Sequence, residues 1–101
     1  MKPVIWSKNA VASIQDIYDY IYIQSPQNAD LVVDTLFELG DKLNLFPEKN
    51  PVEPLFNNKN IRFFPKWNFK IVYRIEQNRI YILDIFSTLQ TSSSQSLDFL
   101  E

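Results

Sequence analysis

Two strand-like runs that meet at a tight turn constrain this chain more than any other feature. Phe69-Lys70-Ile71-Val72-Tyr73-Arg74-Ile75-Glu76 is followed by Gln77-Asn78, and then by Arg79-Ile80-Tyr81-Ile82-Leu83-Asp84-Ile85-Phe86. Alternating apolar residues on both sides of a two-residue loop predict a β-hairpin. Its unbroken register pairs Phe69 with Phe86, Ile71 with Asp84, Tyr73 with Ile82 and Ile75 with Ile80 on one face. The other face receives Lys70/Ile85, Val72/Leu83, Arg74/Tyr81 and Glu76/Arg79. The first is a core face with one polar intruder, Asp84. The second carries cations and a tyrosine among apolar residues, as a binding or reacting surface would.

The rest of the chain supplies helices to cover the core face. Lys2 to Trp6 reads as a first strand, and Ser7 as the N-cap of a helix with Val11, Ile14, Ile17, Tyr18 and Ile21 at helical spacing. Ser25-Pro26 opens a second helix, whose stripe runs through Ala29, Val32 or Val33, Leu36, Leu39 or Gly40, and Leu43. Gly40, the only glycine, costs about 1 kcal/mol of helix propensity, and close approach of a neighbouring element would account for it. Phe46-Pro47 ends this helix, and prolines 47, 51 and 54 with several asparagines mark an irregular loop. Ile61 to Phe64 resumes a strand. A three-residue turn at Lys66-Trp67-Asn68 puts Ile61 and Phe63 on the core face, with Arg62 and Phe64 opposite; the alternative buries Arg62 without a partner. The order is β-α-α-β-β-β. It predicts an α+β fold with a helical hairpin packed on one face of a mainly antiparallel four-stranded sheet, spanning residues 1–90, and a serine-rich tail over 91–101.

Composition narrows the chemistry. The 101 residues allow one domain. There is no cysteine and no histidine, which excludes disulfides, a thiolate nucleophile, the usual zinc sites and imidazole acid–base catalysis. No cofactor is implied. A net charge of −2 gives no bulk attraction to nucleic acid or anionic membrane, so such a contact needs a local cation cluster. No apolar run has the length of a membrane span, and the start is unlike a secretory signal, so a cytoplasmic protein is expected.

Several positions in this order resemble the RelE/ParE superfamily of bacterial toxins from type II toxin–antitoxin systems. Trp6-Ser7 leads into the first helix, followed by Ala10, Ile14, Ile17 and Tyr20-Ile21. Ala29, Leu43 and Phe46-Pro47 mark the second helix, and Ile61-Arg62 opens the second strand. Phe69–Ile75 and Ile80–Phe86 are similar to the family's third and fourth strands, and Gln90 to a frequent ending. The resemblance implies a growth-inhibiting toxin, of the kind associated with plasmid stabilisation, held silent by a cognate antitoxin.

It also implies two mechanisms to weigh. RelE-like members cleave mRNA on the ribosome, and here Arg62 and Arg74 would clamp phosphates while a tyrosine or lysine, Tyr81 or Lys70, replaced the missing histidine in handling protons, with Lys59 reaching in from the loop. The fourth strand ends in Phe86-Ser87-Thr88-Leu89-Gln90, without the usual nuclease groups. ParE-like members instead poison DNA gyrase by protein contact, and the missing histidine and the overall acidity favour that branch. The expected antitoxin- or target-binding surface is Phe64, Lys70, Val72, Arg74, Tyr81, Leu83 and Ile85. Membrane binding, and sequence-specific DNA binding by this chain alone, are not expected. A third reading, an inactive family member or an unrelated interaction domain, stays open. Each residue also has a plain structural role open to it. Arg74/Tyr81 would be a cross-strand cation–π pair worth about 0.5–1 kcal/mol, Arg62 an anchor for loop carbonyls, and Glu76/Arg79 a hairpin charge pair.

Overall fold

The computed structural model describes residues 1–88; Gln90 and the serine-rich tail over 91–101 lie outside the described residues. The elements are β1 (Val4–Trp6), α1 (Lys8–Tyr22), α2 (Pro26–Asp41), β2 (Ile61–Lys66), β3 (Phe69–Ile75) and β4 (Ile80–Ser87), with a 3₁₀ turn at Pro47–Lys49. They form one four-stranded sheet in the order β1-β4-β3-β2. β1 runs parallel to β4, and the other two pairings are antiparallel.

Local chemistry sets the helix boundaries as expected. Ser7 Oγ accepts from Ala10 N at the start of α1, and Ser25 Oγ accepts from Asn28 N with Pro26 at the first helical position. The two helices lie on one face of the sheet. Ala10, Ile14, Leu36 and Leu43 join Ile71, Tyr73, Ile80, Ile82 and Ile85 in a single buried cluster. Gly40 is where the sheet comes closest: a Cβ there would land in the Trp6 ring and 3.1 Å from Ile82 Cδ1. Trp6 Nε1 then donates to Asp41 Oδ1 at 2.9 Å, fastening β1 to the end of α2. α2 stops at Asp41, earlier than its apolar stripe suggested. The chain turns through Leu45 to Phe46, whose φ of 56° is a left-handed value rare for a bulky residue.

Both strand registers depart from the simple alternation. Next to the turn, Ile75↔Ile80, Arg74↔Tyr81 and Tyr73↔Ile82 pair as expected, but beyond them the partners become Val72↔Asp84, Ile71↔Ile85 and Lys70↔Phe86. Leu83 is the extra residue of a bulge, which returns Ile85 to the core at 5% exposure and takes Asp84 out of it. The site of the bulge is where β1 leaves the sheet. Ser7 N donates to Ile82 O, Ser7 Oγ donates to Leu83 O, and Asp84 Oδ1 accepts from Ser13 Oγ and from Ile85 N. The unpaired edge of β4 is thus capped by hydroxyl and carboxylate groups rather than left open.

In the second hairpin the turn has two residues, Trp67 and Asn68, with Lys66↔Phe69 closing it and Trp67 at φ 52°. The shift of one residue exchanges the faces of β2. Phe64 pairs with Ile71 and packs on the core, and Arg62 pairs with Tyr73, while Ile61 and Phe63 pair with Arg74 and Val72 on the outer face. The expected facing of Phe64 and Arg62 is therefore reversed.

Candidate functional site

Two surfaces have the makings of an interaction site. One is the outer face of the sheet, away from the helices. Lys70, Val72, Arg74 and Tyr81 share it, as their alternation requires. Phe64 and Ile85 do not; both belong to the helix side. Leu83, at the bulge, is half-buried.

Every cation on this face has a carboxylate partner. Arg74 donates from Nε to Glu76 Oε2 at 2.7 Å, and its NH2 lies 2.6 Å from the same oxygen. Arg79 takes the other oxygen, Glu76 Oε1. Both guanidinium groups also lie against the Tyr81 ring, whose centroid is 5.5 Å from Arg74 Cζ and 4.4 Å from Arg79 Cζ. Hydrogen bonds from Arg79 and then Arg74 hold the Glu76 carboxyl below its ordinary pKa. Lys2 Nζ closes the corner on the backbone carbonyl of Glu76 at 2.7 Å. The expected cross-strand pair of Arg74 and Tyr81 is present, and the expected turn-end charge pair has become a three-charge cluster.

Lys70 is held differently. Its Nζ lies 2.7 Å from Oε1 of Glu53, a carboxylate with no exposed surface, and 4.9 Å from the Phe63 ring centroid. Oε1 has no aligned hydrogen bond, so Lys70 provides its compensating charge, while Oε2 accepts from Leu55 N. Glu53 belongs to the loop before β2, and its own N–H donates to Ile61 O. This loop acts as a strap over the β2 side of the outer face, where Val72 is fully buried and Ile61 nearly so. The open part of the face is the β4–β1 side, where Ile5 lies beside Tyr81. Sequence reasoning missed Glu53; an acid wedged between Val52 and Pro54 carries no periodicity that would flag it.

Arg62 is not part of this constellation. Its Nη1 donates to the carbonyls of Glu48 (2.7 Å) and Asn50 (2.9 Å), and its Nε to that of Lys59 (3.1 Å). Tyr73 anchors the same loop from the core side: its hydroxyl donates to Pro47 O and accepts from Asn50 Nδ2. Burial pushes the Tyr73 phenol above its ordinary pKa, against a smaller opposing pull from Asn50. Of the three residues a nuclease reading requires, the structure joins Arg74 and Tyr81 and sets Arg62 on the other side of the sheet as a loop anchor.

The second surface is a groove of about 870 Å³ on the helix side, running between α1, the start of α2 and the distal end of the β3–β4 pair. Ile17, Tyr20, Leu31, Val32, Phe69 and Ile85 give it an apolar floor and walls. Tyr20 and Leu31 stand well out of the protein surface, at 73% and 59% exposure, and Trp67 rims it from the turn with Lys66 Nζ 4.8 Å above its ring. No local pattern announces this groove, because its walls come from elements far apart in the chain. Among the described residues no group of histidine, cysteine or acidic side chains is placed to hold a metal ion, and no helix is long and apolar enough to cross a membrane.

This architecture has known counterparts. Among solved structures, the chain is similar to one titled "Chromosomal ParDE TA system from P. aeruginosa", with a TM-score of 0.71 and 24% identity, covering 86% of this chain and 96% of that one. At that identity the likeness speaks to the fold. None of the curated proteins matches the chain. The family described as ParE toxin of type II toxin-antitoxin system, parDE, matches residues 4–91. A match over that share of the sequence settles kinship, and the chain belongs to the ParE toxin family of type II toxin–antitoxin systems.

Proposed function

We propose that the chain arrests bacterial growth by docking on a protein target in the cytoplasm, the host's DNA gyrase, and that a cognate antitoxin of the ParD kind silences it. The observation that carries this reading is the state of the cations. A ribosome-dependent nuclease needs cations free to meet phosphates, whereas Arg74 and Arg79 are engaged with Glu76, Lys70 with Glu53, and Arg62 with loop carbonyls. What the open part of the outer face offers a partner is Ile5, the Tyr81 ring and the Arg74–Glu76–Arg79 cluster, a mixed apolar and charged patch suited to a protein surface.

Induced expression in a bacterium, with the DNA-damage response and translation followed together, tests the proposal. DNA breaks with translation intact support gyrase poisoning. Prompt translation arrest with cleaved mRNA overturns it in favour of a nuclease, in which case Arg74→Ala abolishes cleavage. Unimpaired growth overturns both and points to an inactive member of the family.

A further inference from the structure

The loop before β2 holds two large apolar side chains in water on a fixed backbone. Residues 51–53 run along the free edge of β2: Phe63 N donates to Pro51 O, Glu53 N donates to Ile61 O, and Val52 pairs with Arg62. The chain then turns at Glu53-Pro54-Leu55-Phe56, where Phe56 N reaches back to Glu53 O at 3.3 Å. Glu53 fixes this turn a second time, because its Oε2 accepts from Leu55 N at 3.1 Å while Oε1 meets Lys70 Nζ. Leu55 and Phe56 nevertheless stay in water, at 69% and 39% exposure. An apolar side chain at position 53 could hold this loop to the sheet with no buried charge. What the carboxylate adds is a fixed backbone at Leu55.

Surface charge selects what such a turn can meet. Residues 8–42, the helical layer, hold six acidic and two basic side chains, whereas the other described residues, the sheet and its loops, hold four acidic and eight basic. A partner approaching the sheet side therefore meets a positive field, and one approaching the helices a negative one. Lys49 and Lys59, one at each end of the loop, are exposed and have no carboxylate in ion-pair reach among the described residues. The acid between them, Glu53, is buried against Lys70. Two unpaired lysines are too few to carry nucleic-acid binding through phosphate contacts, and they suit a protein surface bearing a few carboxylates.

We propose that the Leu55–Phe56 turn is a preformed docking tip that enters an apolar cleft rimmed by carboxylates on the protein target, with Lys49 and Lys59 meeting the rim. Glu53 is the positioning residue: its hold on Leu55 N orders the tip before binding, so less conformational freedom is lost on contact. The tip belongs to the β2 side of the sheet, whose β4–β1 side carries Ile5 and Tyr81 on the outer face. The inference rests on the reading that the chain acts by docking on a protein target. It adds to that reading the contact segment and the chemistry of the surface that receives it.

The test uses the full chain in two arms: binding to purified host gyrase, and growth arrest on induced expression, which does not presuppose the target's identity. Leu55 is exposed, so Leu55→Ser and Leu55→Met keep the core intact, which circular dichroism verifies. The expected result is that Leu55→Ser binds gyrase about tenfold or more weakly and relieves growth arrest at equal soluble yield, while Leu55→Met retains both. The double variant Lys49→Glu/Lys59→Glu should bind more weakly at low salt, and that difference should vanish at about 1 M salt, where screening reaches within about 3 Å. Glu53→Met, which removes the acceptor for Leu55 N, should weaken binding, and Glu53→Gln, whose amide oxygen replaces that acceptor, should retain it; equal binding by both overturns the positioning role. Full arrest and full binding by Leu55→Ser overturn the tip while leaving the target reading standing. Tighter binding by the charge-reversed variant overturns the acidic rim. Loss, in Leu55→Ser, of antitoxin binding, of adsorption to phosphatidylglycerol–phosphatidylcholine vesicles or of a concentration-dependent dimer assigns the turn to the antitoxin, a membrane or a second copy; each overturns the proposal. Arrest by the unaltered chain without gyrase binding overturns gyrase as the target, and the growth arm then decides the tip. An unaltered chain that neither arrests growth nor binds gyrase overturns the proposal together with the target reading.

Discussion

The Glu53 carboxylate, fully shielded from solvent, is neutralised by Lys70 Nζ at 2.7 Å, and this contact ties the loop before β2 to the outer face of the sheet. Lys70 itself is about one-fifth exposed, with 19% of its side-chain surface open. The two ends of the pair are therefore unequal: the lysine can recover water if its partner leaves, and the carboxylate cannot.

Removing Lys70 is accordingly the more damaging change. Lys70→Met strands a buried carboxylate and should cost about 3–5 kcal/mol, whereas Glu53→Gln should cost less. The double variant Lys70→Met/Glu53→Gln, which leaves no buried charge, should recover most of the loss. Urea unfolding of the four proteins gives the coupling directly; equal losses for the two single variants would show that burial does not dominate the pair.

Gly40→Ala sets two opposing effects against each other. Alanine improves helix propensity by about 1 kcal/mol, but its Cβ would overlap the Trp6 ring, and Ile82 blocks retreat on the sheet side. Overpacking of this kind costs about 1–3 kcal/mol, so the expected outcome is net destabilisation, with the Trp6–Asp41 hydrogen bond disturbed. A lowered denaturation midpoint, with changed Trp6 emission in a Trp67→Phe background, checks it.

Arg62→Met should loosen the loop rather than abolish the fold. Three carbonyls from three loop positions lose their charged donor, and hydrogen bonds to a charged group contribute about 1.5–3 kcal/mol each, not additively. Limited proteolysis should therefore show new cleavage within residues 48–59 while hydrogen exchange in the β3–β4 hairpin near Gln77 stays unchanged. Target binding should weaken with the loop, which carries Leu55 and Phe56.

The Glu76 cluster gives a pH dependence of definite sign. Its carboxyl is held below the ordinary value by Arg79 and Arg74. A depressed folded-state pKa contributes stability that is present above the unfolded-state value and is lost as pH falls through the folded one. The hairpin end should therefore be indifferent to pH near neutrality and weaken only under acid conditions below the ordinary carboxylate range. A carboxyl NMR titration should place Glu76 low in the intact chain and higher in Arg79→Ala, the larger contributor, than in Arg74→Ala.

Legibility of the fold from sequence followed the range of the physics involved. Ser7 and Ser25-Pro26 act within one turn of chain, so both helix starts could be read directly. The hairpin near Gln77-Asn78 was equally clear, because alternation there is unbroken. The bulge was hidden because Leu83-Asp84-Ile85 looks like continued alternation; its trace was the aspartate that alternation placed in the core. The register of β2 was lost for another reason. Arg62 was kept off the helix side for want of a partner, and its partners proved to be backbone carbonyls, which no side-chain pattern reveals. Of the residues expected to form a binding surface, Lys70, Val72, Arg74 and Tyr81 share one face because β-alternation is local, while Phe64 and Ile85 moved with the registers. The groove and Glu53 depend on packing between distant segments, and only three dimensions expose them.

The extra residue at Leu83 also makes the assembly of the sheet conditional. Zippering outward from Gln77-Asn78 meets a break after Tyr73 and Ile82, and it is Ser7 and Ser13, from the opposite end of the sequence, that satisfy the polar groups there. The hypothesis that follows is an order of events in which the N-terminal segment docks before the far half of the hairpin closes. Pulse-labelled amide protection arriving at Ile75 before Ile85 would support it, and simultaneous protection would discard it.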